Sequence, residues 1–161
     1  MKIHVFCVGG TIDKIYFDAK SKYEVGAPAV GKMLNQIAVN LDIKVTSLMA
    51  KDSLEMTDED RAIIAQAVQS CDADRVIITH GTDTMPDTAR SLSDLSNKVV
   101  VLTGALAPAI FKDSDAMFNV GGALAAVQAL DSGVYIVMNG ELFDAMNVRK
   151  DVDNNCFKRL S

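Results

Sequence analysis

Five short apolar runs, separated by stretches with helical spacing, constrain the fold of this chain more than any other feature. The runs occupy residues 3–8, 43–49, 75–79, 99–103 and 134–138. Strands covered by helices on both faces of a parallel sheet read as such continuous apolar runs. Helical spacing is found over residues 29–39, 57–70, 83–95 and 118–130, with Gly133 expected to stop the last helix. This alternation predicts an α/β fold, a three-layer α/β/α sandwich with a mainly parallel, doubly wound sheet.

Two stretches interrupt the alternation. Residues 11–28 contain lysines, tyrosines and Gly26 but no long apolar run, and we interpret them as a long loop that acts as a lid. The tail after Asn139 is polar and has little periodicity. In the second helical stretch, Thr57 followed by Asp60 resembles a weak capping box.

The composition is that of an ordinary globular domain. A chain of 161 residues is long enough for one domain, and its net charge of −5 argues against nucleic acid as the main partner. No apolar run approaches the length of a membrane span, and MKIHVFCVGG lacks the apolar stretch of a signal peptide. The three cysteines, Cys7, Cys71 and Cys156, have neither zinc spacing nor a disulfide pattern. We therefore expect reduced thiols and a cytoplasmic location.

Small polar residues follow three of the apolar runs. The relevant segments are Gly9-Gly10-Thr11, Lys51-Asp52-Ser53 and His80-Gly81-Thr82-Asp83. Since ligands bind beyond the carboxyl ends of the strands in open α/β sheets, these segments predict a site at one edge. Glycines there would let backbone amides approach an anion, and nearby hydroxyls suit a substrate with a carboxylate.

Each segment also has a plainer interpretation. The glycines could form only a tight turn, and Thr82 with Asp83 could simply cap the helix that begins at Asp83. The full dinucleotide fingerprint Gly-x-Gly-x-x-Gly is absent, which makes a nucleotide binder unlikely on these residues. His4 and His80 have no partner at metal-ligand spacing, so the sequence predicts no metal site.

Taken together, the motifs resemble those of the bacterial-type L-asparaginase family, the threonine amidohydrolases. VGGTI at residues 8–12 is similar to the family's first active-site motif, and HGTDTM at residues 80–85 resembles the second. Six further segments resemble the family and occur in its order. SKYEVG and DSLEMT lie between the two motifs, and TGALAP, SDAMFN, VMNGELFDA and NVRKD follow the second. The resemblance covers the whole chain and implies one catalytic domain over residues 1–161, with the family's smaller C-terminal domain absent. Because the family builds its sites at subunit interfaces, a homodimer or larger homo-oligomer is expected.

The resemblance also implies a role for each candidate residue. Thr11 is the nucleophile, with the Tyr23 hydroxyl positioned to accept or pass its proton. A second relay has a hydroxyl, a carboxylate and an ammonium group: Thr82, Asp83 and Lys150. The substrate α-carboxylate is held by Ser53 and the loop at residues 81–83, including Gly81; Asp83 also meets the α-ammonium, and the backbone of Ala105 contacts the amide. Which threonine attacks first stays open.

The expected reaction is hydrolysis of L-asparagine to L-aspartate and ammonia, with L-glutamine or another short amide as a possible second substrate. It requires no metal or organic cofactor, because hydroxyls and a carboxylate suffice. The alternative is a catalytically weak or inactive module that binds an amino acid without turnover. The absent domain motivates this alternative, as does Leu54, which follows Ser53 where the family usually carries a polar residue.

Overall fold

The computed structural model describes residues 1–95 and 97–161, and in them the apolar runs form one central sheet. The strands are β1 (Lys2–Gly9), β2 (Lys14–Phe17), β3 (Lys22–Val25), β4 (Asp42–Lys51), β5 (Arg75–Thr79), β6 (Val99–Thr103), β7 (Gly133–Met138), β8 (Glu141–Asp144), β9 (Val148–Asp151) and β10 (Cys156–Arg159). The helices are α1 (Val30–Gln36), α2 (Asp58–Ser70), α3 (Met85–Ser91) and α4 (Ala116–Ala129).

The central sheet has the order β4-β1-β5-β6-β7-β8. All neighbouring strands in it run parallel except β7 and β8. The chain moves from β1 outward to β4 and then returns to the other side of β1 to form β5. This reversal makes the gap between β1 and β5 a topological switch point, the place where open α/β sheets form ligand sites. The prediction of a mainly parallel, doubly wound α/β sandwich is confirmed.

The two faces of the sheet are buried under different helices, which produces the three layers. On one face Phe6, Val8 and Ile78 pack in a cluster that includes residues of α2 and α3. On the other face Ile3, Val5 and Cys7 pack with residues of α1 and α4. Successive side chains of β1 therefore enter opposite layers, as the period of a strand requires.

The helix boundaries show where the sequence interpretation was right and where it was wrong. At α2, Thr57 caps the helix and forms the full reciprocal capping box with Asp60. The third helix does not begin at Asp83: α3 begins at Met85, Thr84 is its N-cap residue, and Pro86 lies in its first turn. Thr82 therefore lies before the helix and does not cap it. The fourth helix ends at Ala129, before Gly133, which instead opens β7.

The two interruptions contain more regular structure than their sequences indicated. Residues 11–28 include a short 3₁₀ turn at Thr11–Asp13 followed by the antiparallel hairpin of β2 and β3. The polar tail supplies β8 at the sheet edge and the separate hairpin of β9 and β10. Within the described residues, no helix is both long enough and apolar enough to span a membrane.

Candidate active site

Three loops meet at the switch point because glycines remove the side chains that would keep them apart. Gly10 has φ +90°, and a Cβ there would lie 2.3 Å from the backbone nitrogen of Gly81. A Cβ on Gly81 would in turn lie 2.6 Å from the Cβ of Ser53. At the end of β4, the Lys51 carbonyl accepts a hydrogen bond from the Gly10 N–H at 2.9 Å. The segments that carry Thr11, Ser53 and Thr82 are thus in direct backbone contact.

Thr82 and Lys150 are joined by a hydrogen bond across 68 positions of sequence. The Lys150 Nζ donates to the Thr82 Oγ1 at 3.1 Å and to the Asn155 Oδ1 at 2.9 Å. The same ammonium lies 5.1 Å from the centre of the Phe157 ring, so the β9–β10 hairpin holds it on two sides. Burial lowers the pKa of Lys150, while the charge of Asp83 opposes that shift.

His80 is fully buried and fixes the loop that leads to Thr82. Its Nδ1 lies 2.7 Å from the Gly81 carbonyl, which can only accept, so Nδ1 carries the proton and donates. Its Nε2 then accepts from the Thr88 hydroxyl at 2.8 Å, and that hydroxyl accepts from the Arg61 Nε at 3.3 Å. Burial lowers the pKa of His80 to about 4, which keeps the ring neutral. Both ring nitrogens of His80 therefore have hydrogen-bond partners.

Ser53 is buried at the start of a 3₁₀ turn, Ser53–Glu55, directly beside the loop after β5. Its carbonyl accepts a hydrogen bond from the Thr84 hydroxyl at 2.7 Å, which ties this turn to the start of α3. Lys14 at the base of the β2–β3 hairpin pairs with Asp52 at 3.0 Å. By contrast, Leu54 is 74% exposed and contributes no packing that would explain an apolar side chain there.

Ala105 lies in the loop after β6, and a network around Asp115 shapes this loop. The Asp115 carboxylate accepts from the backbone N–H groups of Leu106 at 3.0 Å and Ala107 at 3.1 Å, and from the Asn119 side chain at 2.8 Å. Although burial acts in the opposite direction, these hydrogen bonds leave the pKa of Asp115 below its ordinary value. Sequence reasoning singled out neither Asp115 nor Asn119, although both stand in the segment SDAMFN.

Thr11 and Tyr23 lie on adjoining elements but are not joined to each other. Thr11 is half-buried at the start of its 3₁₀ turn, directly after the two glycines. Tyr23 lies on β3 and is 48% exposed. No hydrogen bond connects its hydroxyl to Thr11 in the described part of the chain. The structure thus brings Thr11, Ser53, Thr82 and Lys150 to one edge and leaves the Tyr23 hydroxyl unengaged.

A comparison with known protein families identifies the family of the chain. The family model described as "Asparaginase, N-terminal" matches residues 2–158. The chain belongs to the asparaginase family. It is 34% identical over 160 residues to L-asparaginase 2 of Escherichia coli, covering 92% of this chain and 46% of that relative. It is 30% identical over 162 residues to an L-asparaginase of Thermococcus kodakarensis, covering 93% and 48%.

Solved asparaginase structures resemble the chain over almost its whole length. The thermostable L-asparaginase from Thermococcus kodakarensis superposes with a TM-score of 0.87 at 27% identity, covering 99% of this chain and 51% of that one. A probable cytoplasmic L-asparaginase from Campylobacter jejuni gives a TM-score of 0.82 at 30% identity, covering 98% and 51%. The chain therefore spans about half the length of the asparaginases it matches.

One buried acid of this asparaginase-family chain escaped the sequence interpretation. Asp13 is 3% exposed and lies two residues after Thr11 in the same 3₁₀ turn. Its carboxylate accepts from the Ala29 N–H at 2.8 Å, and its carbonyl accepts from the Gly26 N–H at 2.8 Å. Burial raises the pKa of Asp13 to about 6, against the lowering effect of the Ala29 N–H. The available signal was a carboxylate directly after the motif VGGTI.

The chemistry available at this edge of the asparaginase fold is that of hydroxyls and charged groups. A lysine whose pKa is lowered and which lies within hydrogen-bond distance of a threonine hydroxyl can hold that hydroxyl in place and, once neutral, take its proton. Within residues 1–95 and 97–161, no group of three or more His, Cys, Asp or Glu side chains is arranged to hold a metal ion.

Proposed function

We propose that this chain carries the catalytic residues of an amidohydrolase that converts L-asparagine to L-aspartate and ammonia through a threonine nucleophile. The observation that carries the proposal is the 3.1 Å hydrogen bond from Lys150 to Thr82, beside Asp83, in a loop packed against the glycine turn that leads to Thr11. Membership of the asparaginase family supports the reaction class. L-Glutamine is a second candidate substrate.

The proposed reaction divides the two hydroxyls between two steps. The Thr11 Oγ attacks the side-chain amide carbon, its proton is relayed through the Tyr23 hydroxyl to the amide nitrogen, and the carbon–nitrogen bond breaks to release ammonia. Water oriented by Thr82 then attacks the acyl-enzyme ester and gives a proton to the pair of Lys150 and Asp83, which passes it to the Thr11 Oγ as the ester bond breaks. Aspartate is released and Thr11 regains its hydrogen.

The substrate's own charges match the groups at the strand ends. The α-carboxylate would accept hydrogen bonds from the buried Ser53 hydroxyl and from the backbone amides of the Gly81 loop. Asp83 would pair with the α-ammonium, and the backbone of Ala105 would contact the scissile amide. Since the Tyr23 hydroxyl has no hydrogen bond to Thr11 in the structure, the first step requires this ring to approach when substrate binds.

The test is ammonia release from L-asparagine by the unaltered chain and by matched variants. Thr82→Val and Lys150→Met should each lose about 10²–10⁴-fold in kcat with little change in melting temperature, because each removes one member of a positioned acid–base set. Thr46→Val is the control for the first, since Thr46 lies in the middle of β4 and its hydroxyl contacts His4 of β1, away from the strand ends. Lys112→Met, on the exposed part of the β6–α4 loop, is the control for the second.

The same assay separates the enzyme from the binding module. A module without turnover would release no ammonia from asparagine or glutamine, yet aspartate or asparagine would still raise its melting temperature. If the unaltered chain releases ammonia and the Thr82→Val variant keeps most of that rate, Thr82 has no part in catalysis. The exposed Leu54 beside Ser53 is the observation that keeps the binding module in consideration.

Location and assembly are further parts of the proposal. We propose a cytoplasmic protein with free thiols at Cys7, Cys71 and Cys156. A structural neighbour is named a probable cytoplasmic L-asparaginase, whereas a relative from Haemophilus influenzae is named a probable periplasmic one. We also propose a homodimer or larger homo-oligomer, since large apolar side chains such as Phe118 (65% exposed) and Met146 (59% exposed) remain uncovered in the single chain.

A further inference from the structure

The ring of Tyr23 is held by two other aromatic rings rather than by a hydrogen bond. Tyr16 lies directly opposite it in the β2–β3 hairpin, with ring centres 5.5 Å apart and an angle of 61° between the planes. Phe111 approaches from the β6–α4 loop, with ring centres 5.7 Å apart and an angle of 84°. This near-perpendicular arrangement is the favoured edge-to-face geometry of aromatic pairs. Because Tyr16 belongs to the same hairpin, Phe111 is the ring that links Tyr23 to the body of the domain.

The segment that carries Phe111 is itself fixed relative to Thr11. The Ala109 N–H donates to the Ile12 carbonyl at 3.1 Å, one residue after Thr11. The Phe111 N–H donates to the Pro108 carbonyl at 2.9 Å, which closes a tight turn. The Ser114 hydroxyl donates to the Ala107 carbonyl at 2.8 Å and closes the loop from the other side. Phe111 therefore provides a reference point that moves with the Thr11 turn.

We propose that Phe111 is a positioning residue that holds the Tyr23 ring by an edge-to-face contact and so sets where the Tyr23 hydroxyl lies relative to Thr11. The part of this inference that concerns catalysis rests on the proposed amidohydrolase function. Both rings are only about half covered, with Tyr23 48% and Phe111 41% exposed. A contact of this kind is weak enough to allow the short movement that brings the hydroxyl to Thr11, while limiting the range of positions that the ring samples.

The first arm of the test measures the ring directly and needs no catalytic activity. The chain has three tyrosines and no tryptophan, so Tyr16→Phe with Tyr135→Phe leaves Tyr23 as the single fluorescent tyrosine and keeps every ring in place. In that background Phe111→Ala and Phe111→Leu should lower the steady-state anisotropy of Tyr23. Ile110→Ala, which removes an exposed apolar side chain from the same loop without removing a ring, is the matched control and should leave the anisotropy unchanged.

The second arm measures asparagine hydrolysis by the same substitutions at position 111 in the unaltered chain. An aromatic contact worth about 0.5–1.5 kcal/mol corresponds to a loss between about twofold and tenfold in kcat for Phe111→Ala and Phe111→Leu. KM and melting temperature should change little, because the substrate-binding groups and the core are untouched. Phe111→Tyr, which keeps an aromatic ring at this position, should retain the rate of the unaltered chain.

The outcomes are distinguishable from failure of the proposed function. Unchanged Tyr23 anisotropy in both Phe111→Ala and Phe111→Leu overturns the proposal, whatever the activity. A lowered anisotropy in a chain that hydrolyses no amide supports the hold of Phe111 on Tyr23 and instead refutes the amidohydrolase. A lowered anisotropy with an undiminished kcat refutes the catalytic part, because the position of Tyr23 would then not limit the rate.

Discussion

Replacement of Asp13 by asparagine should stabilise the protein at neutral pH, because Asp13 is an ionisable group buried at a cost. Its pKa in the folded chain is about 6, against an ordinary value of 3.8. Since the folded pKa is raised, the folded state binds the proton more tightly than the unfolded chain does. The stability that protonated Asp13 contributes is therefore complete below about pH 3.8 and is lost as the pH rises through about 6. A difference of about two in pKa corresponds to a loss of about 3 kcal/mol in the free energy of unfolding by pH 7.

Asparagine keeps an oxygen that can accept from the Ala29 N–H and removes the ionisation. We expect Asp13→Asn to raise the free energy of unfolding by about 1–3 kcal/mol at pH 7. The lower figure subtracts the cost of burying the new amide N–H₂ group without a hydrogen-bond partner. The measurement is urea unfolding followed by circular dichroism at pH 7 and pH 4, where the gain should shrink. Asp113→Asn, at an exposed position, is the control. A variant less stable than the wild type at pH 7 would show that the charged hydrogen bond outweighs the cost of burial.

The remaining predictions concern the glycine contact and the assembly. Gly10→Ala should destabilise the fold by at least about 1–3 kcal/mol and reduce activity, because φ is +90° there and a Cβ would meet the backbone of Gly81 at 2.3 Å. Gly121→Ala, in α4 where an added Cβ would meet no atom within 4 Å outside the neighbouring helix backbone, should instead gain about 0.5–1 kcal/mol in the same urea titration. Equal effects of the two substitutions would refute the steric argument. Light scattering at micromolar concentration should give a mass at least twice 17.3 kDa, whereas the monomer mass would contradict the proposed oligomer.

The buried layers of the fold were predictable from the sequence, whereas the exposed strands were not. The five apolar runs became the five parallel strands of the central sheet. Four of these strands are largely buried, as continuous apolar runs predict, whereas the edge strand β4 has no fully buried residue. The β2–β3 hairpin carries exposed Ile15, Tyr16 and Phe17, so its sequence has neither the alternation nor the burial that identifies a strand. Such strands depend on pairing with a neighbour, and a local sequence pattern does not record that pairing.

The start of α3 was misplaced for a related reason. Thr82 and Asp83 have the residue types of a helix cap, but contacts to distant parts of the chain hold this loop in another conformation. The Thr82 hydroxyl is engaged by Lys150, and the Thr84 hydroxyl by the Ser53 carbonyl. Pro86 was the local signal for the true start, because proline is favoured in the first turn of a helix.

The sequence predicted that the segments after the strands lie at one edge of the sheet, but it did not predict the side chains that hold these segments in place. Topology alone places the segments after β1, β4 and β5 at one edge, and two glycines allow their backbones to touch. The supporting roles of Asp13 and Phe111 arise from contacts with Ala29 and Tyr23 across long stretches of sequence. No spacing rule connects such pairs, so only the folded chain reveals them.

Two buried titratable groups beside the proposed catalytic loops respond to pH in opposite directions. Burial lowers the pKa of His80 from 6.5 to about 4, so the stability that its neutral ring contributes is present above pH 6.5 and lost as the pH falls towards 4. Over nearly the same range, protonation of Asp13 adds stability as the pH falls. Each shift corresponds to about 3 kcal/mol, so the two nearly cancel in the wild type. His80 adjoins Gly81 and Asp13 follows Thr11 by two residues, so the two opposing groups lie on the two loops that are in contact. Asp13→Asn removes one of these groups, so the free energy of unfolding of this variant should fall more steeply in acid than that of the unaltered chain.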